Sequence, residues 1–205
     1  MIPTRFLEDL MHLKIVPRSG WISYRISKHD VEPVSSHSYS VATIALTISE
    51  IMRLRNQDVS VEKVVRMALL HDLPESLTFD ISKAYLRYLG RSGSKLKTNL
   101  EWKAFKQILK GLDNRRLARI FLAALEEYSA SRSVEARVVH CADALDLLLQ
   151  VVEYERMGYS KATLDPIWNE TRSKITCCGI SLASEWSREL ERVREKQGRR
   201  RRREC

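Results

Sequence analysis

Glycine and proline are scarce in this chain of 205 residues, at 7 and 5, and a β-sandwich with its many tight turns is thereby excluded. Long apolar runs are missing too. The longest uncharged run, Pro33–Ser49 with His37 counted as neutral, is rich in serine and falls short of the ~20 apolar residues that span a bilayer. Cys141, Cys177, Cys178 and Cys205 form neither a CxxC pair nor a disulfide framework, and the neighbouring Cys177 and Cys178 read as packing residues. Arg5, Glu8 and Asp9 are unlike the start of a secretory signal, so a soluble, cytoplasmic protein is expected. Hydrophobic residues make up 44%, enough for one real core. The net charge of +9 is partly local: Arg199–Arg203 followed by Glu204 supply +4 of it. The body is only moderately basic, and the total charge does not argue for nucleic acid.

Apolar residues recur with a helical period almost everywhere, and no alternating strand survives. Helices are predicted at about Pro3–Ile15, His37–Arg55, Val61–His71, Ile81–Leu89, Lys95–Lys110, Asn114–Tyr128, Val134–Glu155, Ala162–Ile175 and Leu182–Gln197. Ser35 and Ser36 suit the N-cap of the second helix, and Gly90–Ser94 reads as a turn. The stretch Glu185–Lys196 mixes acids and bases like a solvated helix. The expected architecture is a single all-α domain over residues 1–197, a helical bundle, with a disordered basic tail at 198–205.

Several polar residues fall where the period calls for apolar ones. His37 continues the stripe of Val41, Ile44, Ala45, Ile48 and Met52. His71 and Asp72 follow Ala68 by three and four residues. Asp143 sits in Val138–Val152, which is apolar nearly all round. A lone histidine on an apolar stripe is more often a hydrogen-bonded core residue than a ligand. Two imidazoles and two carboxylates converging on one core are reconciled most simply by a divalent metal, since a buried carboxylate otherwise costs several kcal/mol.

The order H…HD…D resembles the HD-domain metal-dependent phosphohydrolases, most closely the branch containing 5'-deoxynucleotidases and their archaeal and eukaryotic HD-domain relatives. Arg18-Ser19-Gly20-Trp21 is similar to that branch's R-x-G-W segment. Glu32-Pro33-Val34-Ser35-Ser36-His37-Ser38 is similar to E-S-V-x-x-H-S, with Pro33 in place of a small polar residue. The run His71–Asp80 fits H-D-x-x-E-x-x-x-x-D, with Phe79 where glycine is common, and Ala142-Asp143-Ala144-Leu145 fits the last ligand motif. The likeness covers about residues 12–155.

The resemblance implies His37, His71, Asp72 and Asp143 as ligands of one divalent ion. The mixed donor set suits Mn, Co, Fe, Ni, Zn or Mg without choosing among them. It implies acid/base work for Glu75, whose plainer reading is an exposed loop acid. Asp80 is placed near the sugar by the resemblance and also fits a helix N-cap. Arg18 suits phosphate oxygens and Trp21 offers a face to sugar or base; a surface ion pair and a loop anchor are the plainer readings. Asp146, a turn after Asp143, reads either as support for the ligands or as a contact with another helix or subunit. The activity implied is hydrolysis of deoxyribonucleoside 5'-monophosphates to nucleoside and phosphate. A triphosphohydrolase or phosphodiesterase keeps the metal but changes the bond; no histidine lies between Asp72 and His140, which favours one ion over two. A nucleic-acid adaptor working through Arg199–Arg203 is the non-enzymatic alternative. The expected partners are the nucleotide and a second copy of the chain in a homodimer.

Overall fold

The computed structural model describes residues 4–204, the side chains at 83, 84, 91 and 198–204 excepted, and it is helical almost throughout. Among these residues the only β-type pairing is an isolated antiparallel bridge between Pro17 and Pro33. The helices are α1 (Thr4–His12), α2 (Val34–Leu54), α3 (Val61–Leu70), α4 (Glu75–Thr78), α5 (Lys83–Leu86), α6 (Arg91–Lys110), α7 (Arg115–Ala130), α8 (Val134–Met157), α9 (Lys161–Cys177) and α10 (Ser181–Glu204). Short 3-10 turns at Ser19–Tyr24 and Arg87–Leu89 complete the chain.

The all-α expectation holds, and the central element is the one the composition singles out. On α8 the side chains of Val138, Val139, Ala142, Leu145, Leu148, Val151 and Val152 are all buried. Ser133 starts that helix by accepting a hydrogen bond from the Ala136 amide at 3.1 Å. Around α8 pack α2, α3, α7, α9 and α10. The buried stripe of α2 is Val34, His37, Val41, Ala45, Ile48 and Met52. Ser60 caps α3, accepting from the Lys63 amide at 3.4 Å, and Val64, Met67 and Ala68 face inward.

Several local expectations need correction. Pro33, with extended backbone, is the N-cap of α2, so Ser35 and Ser36 lie inside its first turn. Proline has no amide hydrogen to spare and its fixed φ suits a helix start. The expected turn at Gly90–Ser94 is confined to Gly90, whose φ of 55° only glycine adopts cheaply; α6 begins directly after it. Of the two cysteines read as packing residues, Cys177 is exposed, while Cys178 packs against the core. It forms a disulfide with Cys141, which ties the C-terminal end of α9 to α8 across 37 residues. The mixed-charge stretch is a helix with Glu185, Arg188, Glu189, Arg192, Glu195 and Lys196 exposed as expected, but one of its arginines turns inward. Arg194 is only 5% exposed and lies 4.4 Å from the Trp168 ring. It donates to Glu155 Oε1 at 2.9 Å and to Asp165 Oδ1 at 2.7 Å. This cluster fastens α10 onto α8 and α9. The helix α10 runs to Glu204, and the side chains of the expected tail at 198–205 lie outside the described residues.

Candidate metal centre

Three segments deliver the polar residues to one place. The Pro17–Pro33 bridge, with Arg18 N–H donating to Glu32 O at 3.0 Å and Val34 N–H to Val16 O at 2.8 Å, pins the first loop against the start of α2. Arg18 is thereby set beside His37. The end of α3 leaves His71 in helical conformation as its C-cap, and Pro74 begins the single turn α4. Asp143 comes from the middle of α8.

The donor atoms meet around His37 Nε2. It lies 3.4 Å from Asp72 Oδ2, 3.3 Å from Asp143 Oδ1 and 3.4 Å from His71 Nε2. His71 Nε2 is 3.2 Å from Asp72 Oδ2. Ligand atoms held at about 2.0–2.2 Å from one ion in tetrahedral or octahedral array stand about 3.0–3.5 Å apart. His37, His71 and Asp72 therefore fit a divalent ion by spacing as well as by chemistry, and Asp143 meets this group at His37. His37, His71 and Asp72 also satisfy, as a group, the mutual proximity that a shared ion requires.

Both imidazoles are oriented from behind. His71 Nδ1 donates to Ala68 O at 2.7 Å, and His37 Nδ1 donates to Asp146 Oδ2 at 2.6 Å. Each bond places a ring proton on Nδ1 and turns Nε2 toward the centre, as the nitrogen a cation would take in exchange for its proton. Arg18 Nη1 approaches the same His37 nitrogen and lies 3.9 Å from Asp146 Oδ2 and 3.8 Å from Glu32 Oε1. Of these neighbours the carboxylate of Asp146 is the acceptor that the aimed Nε2 requires. Asp146 is 5% exposed, so its role is support of His37 from within the core.

Titration in the cluster is displaced in opposite directions. Burial and Arg18 oppose a charged His37, but hydrogen bonds with Asp143, Asp146 and Asp72 prevail and hold its pKa well above the ordinary value. Burial likewise opposes a charged His71, and Asp72 overcomes it. Burial would raise Asp72 and Asp143, yet the two histidines hold both below the usual carboxylate range, with Arg18 adding to the effect on Asp143. Glu75 moves the other way. Burial, Asp72 and Asp80 push its pKa well above the ordinary value, against Lys97 and Arg18.

A profile described as HD domain matches residues 10–177. The chain belongs to the HD domain family. Human 5'-deoxynucleotidase HDDC2 is 30% identical over 171 residues, covering 83% of this chain and 77% of the human protein. The zebrafish (Danio rerio) protein of the same name is 32% identical, over 83% of this chain and 78% of its own. Among solved structures, a conserved hypothetical protein from Pyrococcus furiosus is 29% identical, with a TM-score of 0.75 over 91% of this chain and 98% of that one. A Pyrococcus horikoshii protein is 28% identical, with a TM-score of 0.73 over 95% and 97%.

In this HD domain the residues expected from sequence come together. Arg18, Trp21, Asp72, Glu75, Asp80 and Asp143 line one cleft of about 280 Å³, and buried His37 and His71 reach Asp72 from the protein interior. Glu75 is not an exposed loop acid: it is 5% exposed, and its Oε2 has no hydrogen-bond partner among the described residues. Asp80 receives the Gly20 amide at 3.4 Å, and its carbonyl accepts from Ser19 Oγ, so it clasps the Arg18–Trp21 loop. Trp21 is anchored as the plainer reading expects, and it also lines the cleft. It is 2% exposed, held edge-on to Tyr154 at 5.0 Å and by Nε1 to Glu32 Oε1 at 3.1 Å. Sequence reasoning missed Lys97 on α6, whose ammonium enters the same cleft. A signal existed: Lys97 and Glu101 lie on the face of α6 that Phe105 and Ile108 bury, one turn after another.

Proposed function

We propose that this HD domain is a divalent-metal-dependent 5'-deoxynucleotidase, hydrolysing deoxyribonucleoside 5'-monophosphates to nucleoside and phosphate. The observation that carries the reading is the convergence of His37, His71, Asp72 and Asp143 beside a cleft that also holds Arg18, Glu75 and Asp80. The similarity to proteins named 5'-deoxynucleotidase, over more than four-fifths of this chain, supports the substrate class. A divalent ion bound by the four ligands would polarise the phosphoryl group and lower the pKa of water toward neutrality.

The chain's own residues supply the rest. Arg18 directs a guanidinium into the cleft, where its planar fork matches the phosphate oxygens and balances charge gathering on them. Glu75, held proton-prone by burial and by Asp72 and Asp80, accepts a proton from the attacking water and returns one to the departing 5' oxygen. The P–O5' bond breaks as the new P–O bond forms. Asp80 and Trp21 face the sugar. Farther along the cleft Tyr24, Leu147 and Ile167 offer aromatic and aliphatic surface to the base.

The test is a screen of metal-stripped and reconstituted protein against nucleoside mono-, di- and triphosphates and a cyclic dinucleotide. Phosphate release from deoxy monophosphates upon adding metal is expected. Turnover confined to triphosphates or diesters would overturn the reading. The same proposal includes a cytoplasmic homodimer. Supporting it, Ile44, Leu145, Leu149, Trp186, Leu190 and Val193 line an open apolar groove, and no helix among the described residues is long and apolar enough to cross a membrane. Sedimentation equilibrium over a concentration series tests the dimer. Weak nucleic-acid contact through Arg199–Arg203 is tested by the salt dependence of binding.

A further inference from the structure

We propose that Lys97 is a positioning residue for the acid/base group of the cleft: its ammonium clamps one oxygen of Glu75 and keeps Asp80 alongside. The inference rests on the acid/base role given to Glu75 above. It starts from four oxygens around one nitrogen. Lys97 Nζ donates to the Ile81 carbonyl at 3.2 Å and stands 3.4 Å from Glu101 Oε1, 3.6 Å from Glu75 Oε1 and 3.8 Å from Asp80 Oδ1. The side chain is only 19% exposed, so it is not a solvated surface lysine that happens to touch an acid.

The direction of the dependence follows from how each partner is held. Lys97 has two anchors that owe nothing to Glu75: Glu101, one turn on along α6, and the Ile81 backbone. An ammonium fixed in this way is a tethered cation, and the acids arrange themselves about it. Glu75 has no comparable support. Among the described residues Lys97 is an ion-pair partner at Oε1, and Oε2 is buried with no hydrogen-bond partner. Fixing Oε1 sets the orientation of the whole carboxyl where it lines the cleft. Asp80 is drawn to the same cation while it clasps the Gly20 amide at 3.4 Å, so Lys97 also couples the acid/base residue to the loop that carries Arg18.

Electrostatics reinforces the geometry. Glu75 is buried beside Asp72 and Asp80, both of which oppose its ionisation, and Lys97 is the first of the two cations that counter them. Without the ammonium the carboxyl loses the ion pair at Oε1 that holds its orientation. Direct binding of the substrate phosphate by Lys97 is the competing role, and it makes a different kinetic prediction, because a lost ground-state contact appears in KM.

The experiment compares the metal-reconstituted wild type with Lys97→Ala, Lys97→Met and Lys97→Arg on a deoxyribonucleoside 5'-monophosphate, with bound metal measured in each. Expected for Lys97→Ala and Lys97→Met is a fall in kcat of about 100-fold, in the range ascribed to positioned acid/base groups, with KM within about threefold and metal content unchanged. Lys97→Arg should recover much of the loss, and ethylammonium added to Lys97→Ala should restore part of it. A kcat within about threefold of wild type in both truncations, or a loss residing wholly in KM, would overturn the assignment. Crystal structures of wild type and Lys97→Met give a readout independent of turnover. A displaced Glu75 carboxylate supports the proposal even if the wild type hydrolyses no deoxy monophosphate, an outcome that would sink the nucleotidase reading alone; a Glu75 that has not moved overturns it.

Discussion

Two clusters of buried charge stand out among the described residues, one around His37, His71, Asp72 and Asp143 and one where α10 meets α8 and α9. In the second, Arg194 donates to Glu155 and Asp165 and lies against Trp168, so its charge is met on every side by the protein itself. The first is unfinished. Contacts of 3.2–3.4 Å link two histidines and two aspartates through His37 and Asp72, their titration is displaced in both directions, and Glu75 Oε2 has no hydrogen-bond partner among the described residues. Burial of charge is thus common to a fastening and to a reaction centre. What separates them is whether the cluster closes on itself or awaits something from outside.

The largest effect expected from breaking this contrast is at the ligands. Asp143→Ala should lower phosphate release by at least about 1,000-fold, as expected when Lewis-acid stabilisation worth several kcal/mol is lost, and should remove the metal. Thermal unfolding should persist as one cooperative transition. Full activity in that variant would sink the ligand assignment. Arg194→Ala should do the reverse: it leaves Glu155 buried without its cation, costing about 3–5 kcal/mol in denaturant unfolding while kcat of the folded fraction stays near wild type. Equal losses of activity in the two variants would erase the distinction between the clusters.

Smaller effects sharpen it. Reduction of Cys141–Cys178 should cost about 4 kcal/mol by the loop-entropy argument for a 37-residue separation, read as a lower Tm with thiol reductant. Alkylation before reduction should label Cys177 and spare that pair. For pH, the histidines set the sign. His37 and His71 have folded pKa values raised above the ordinary 6.5, so their contribution is fully present below that pH and is lost as pH rises through the folded values. Metal-free protein should therefore lose stability from about neutral pH upward, and a divalent ion should restore more at alkaline than at acidic pH, because it replaces the departing protons. A Tm rise on adding metal that is independent of pH would contradict this. Phe79 makes the smallest prediction. Its φ of 57° with ψ of 165° is a conformation suited to glycine, in a side chain that is 65% exposed. Phe79→Gly should relieve about 1–3 kcal/mol of strain, partly offset by the greater entropy glycine has when unfolded.

Much of the centre was legible because its signals are local. His37 on an apolar stripe, the His71-Asp72 pair before Pro74, and Asp143 in an apolar helix are each visible within a few residues, and the family resemblance joins them. Lys97 shows the limit. Its polar intrusion on an apolar face could be read within α6, but its partners Glu75 and Asp80 stand far back in the chain, and no spacing rule connects them. Arg194 misled for the same reason. Its charged neighbours in sequence are mostly exposed, whereas its own partners Glu155 and Asp165 come from other helices.

The amino-acid order alone determined the helical class, the buried faces and the ligand types, since period and residue chemistry are properties of neighbouring positions. Only tertiary packing decided that Asp146 would aim His37, that Lys97 would hold Glu75, that Cys141 would join Cys178, and that Arg194 would turn inward. Each of those pairs lies more than a helical turn apart in the chain, and such contacts come into being only when the bundle closes on α8.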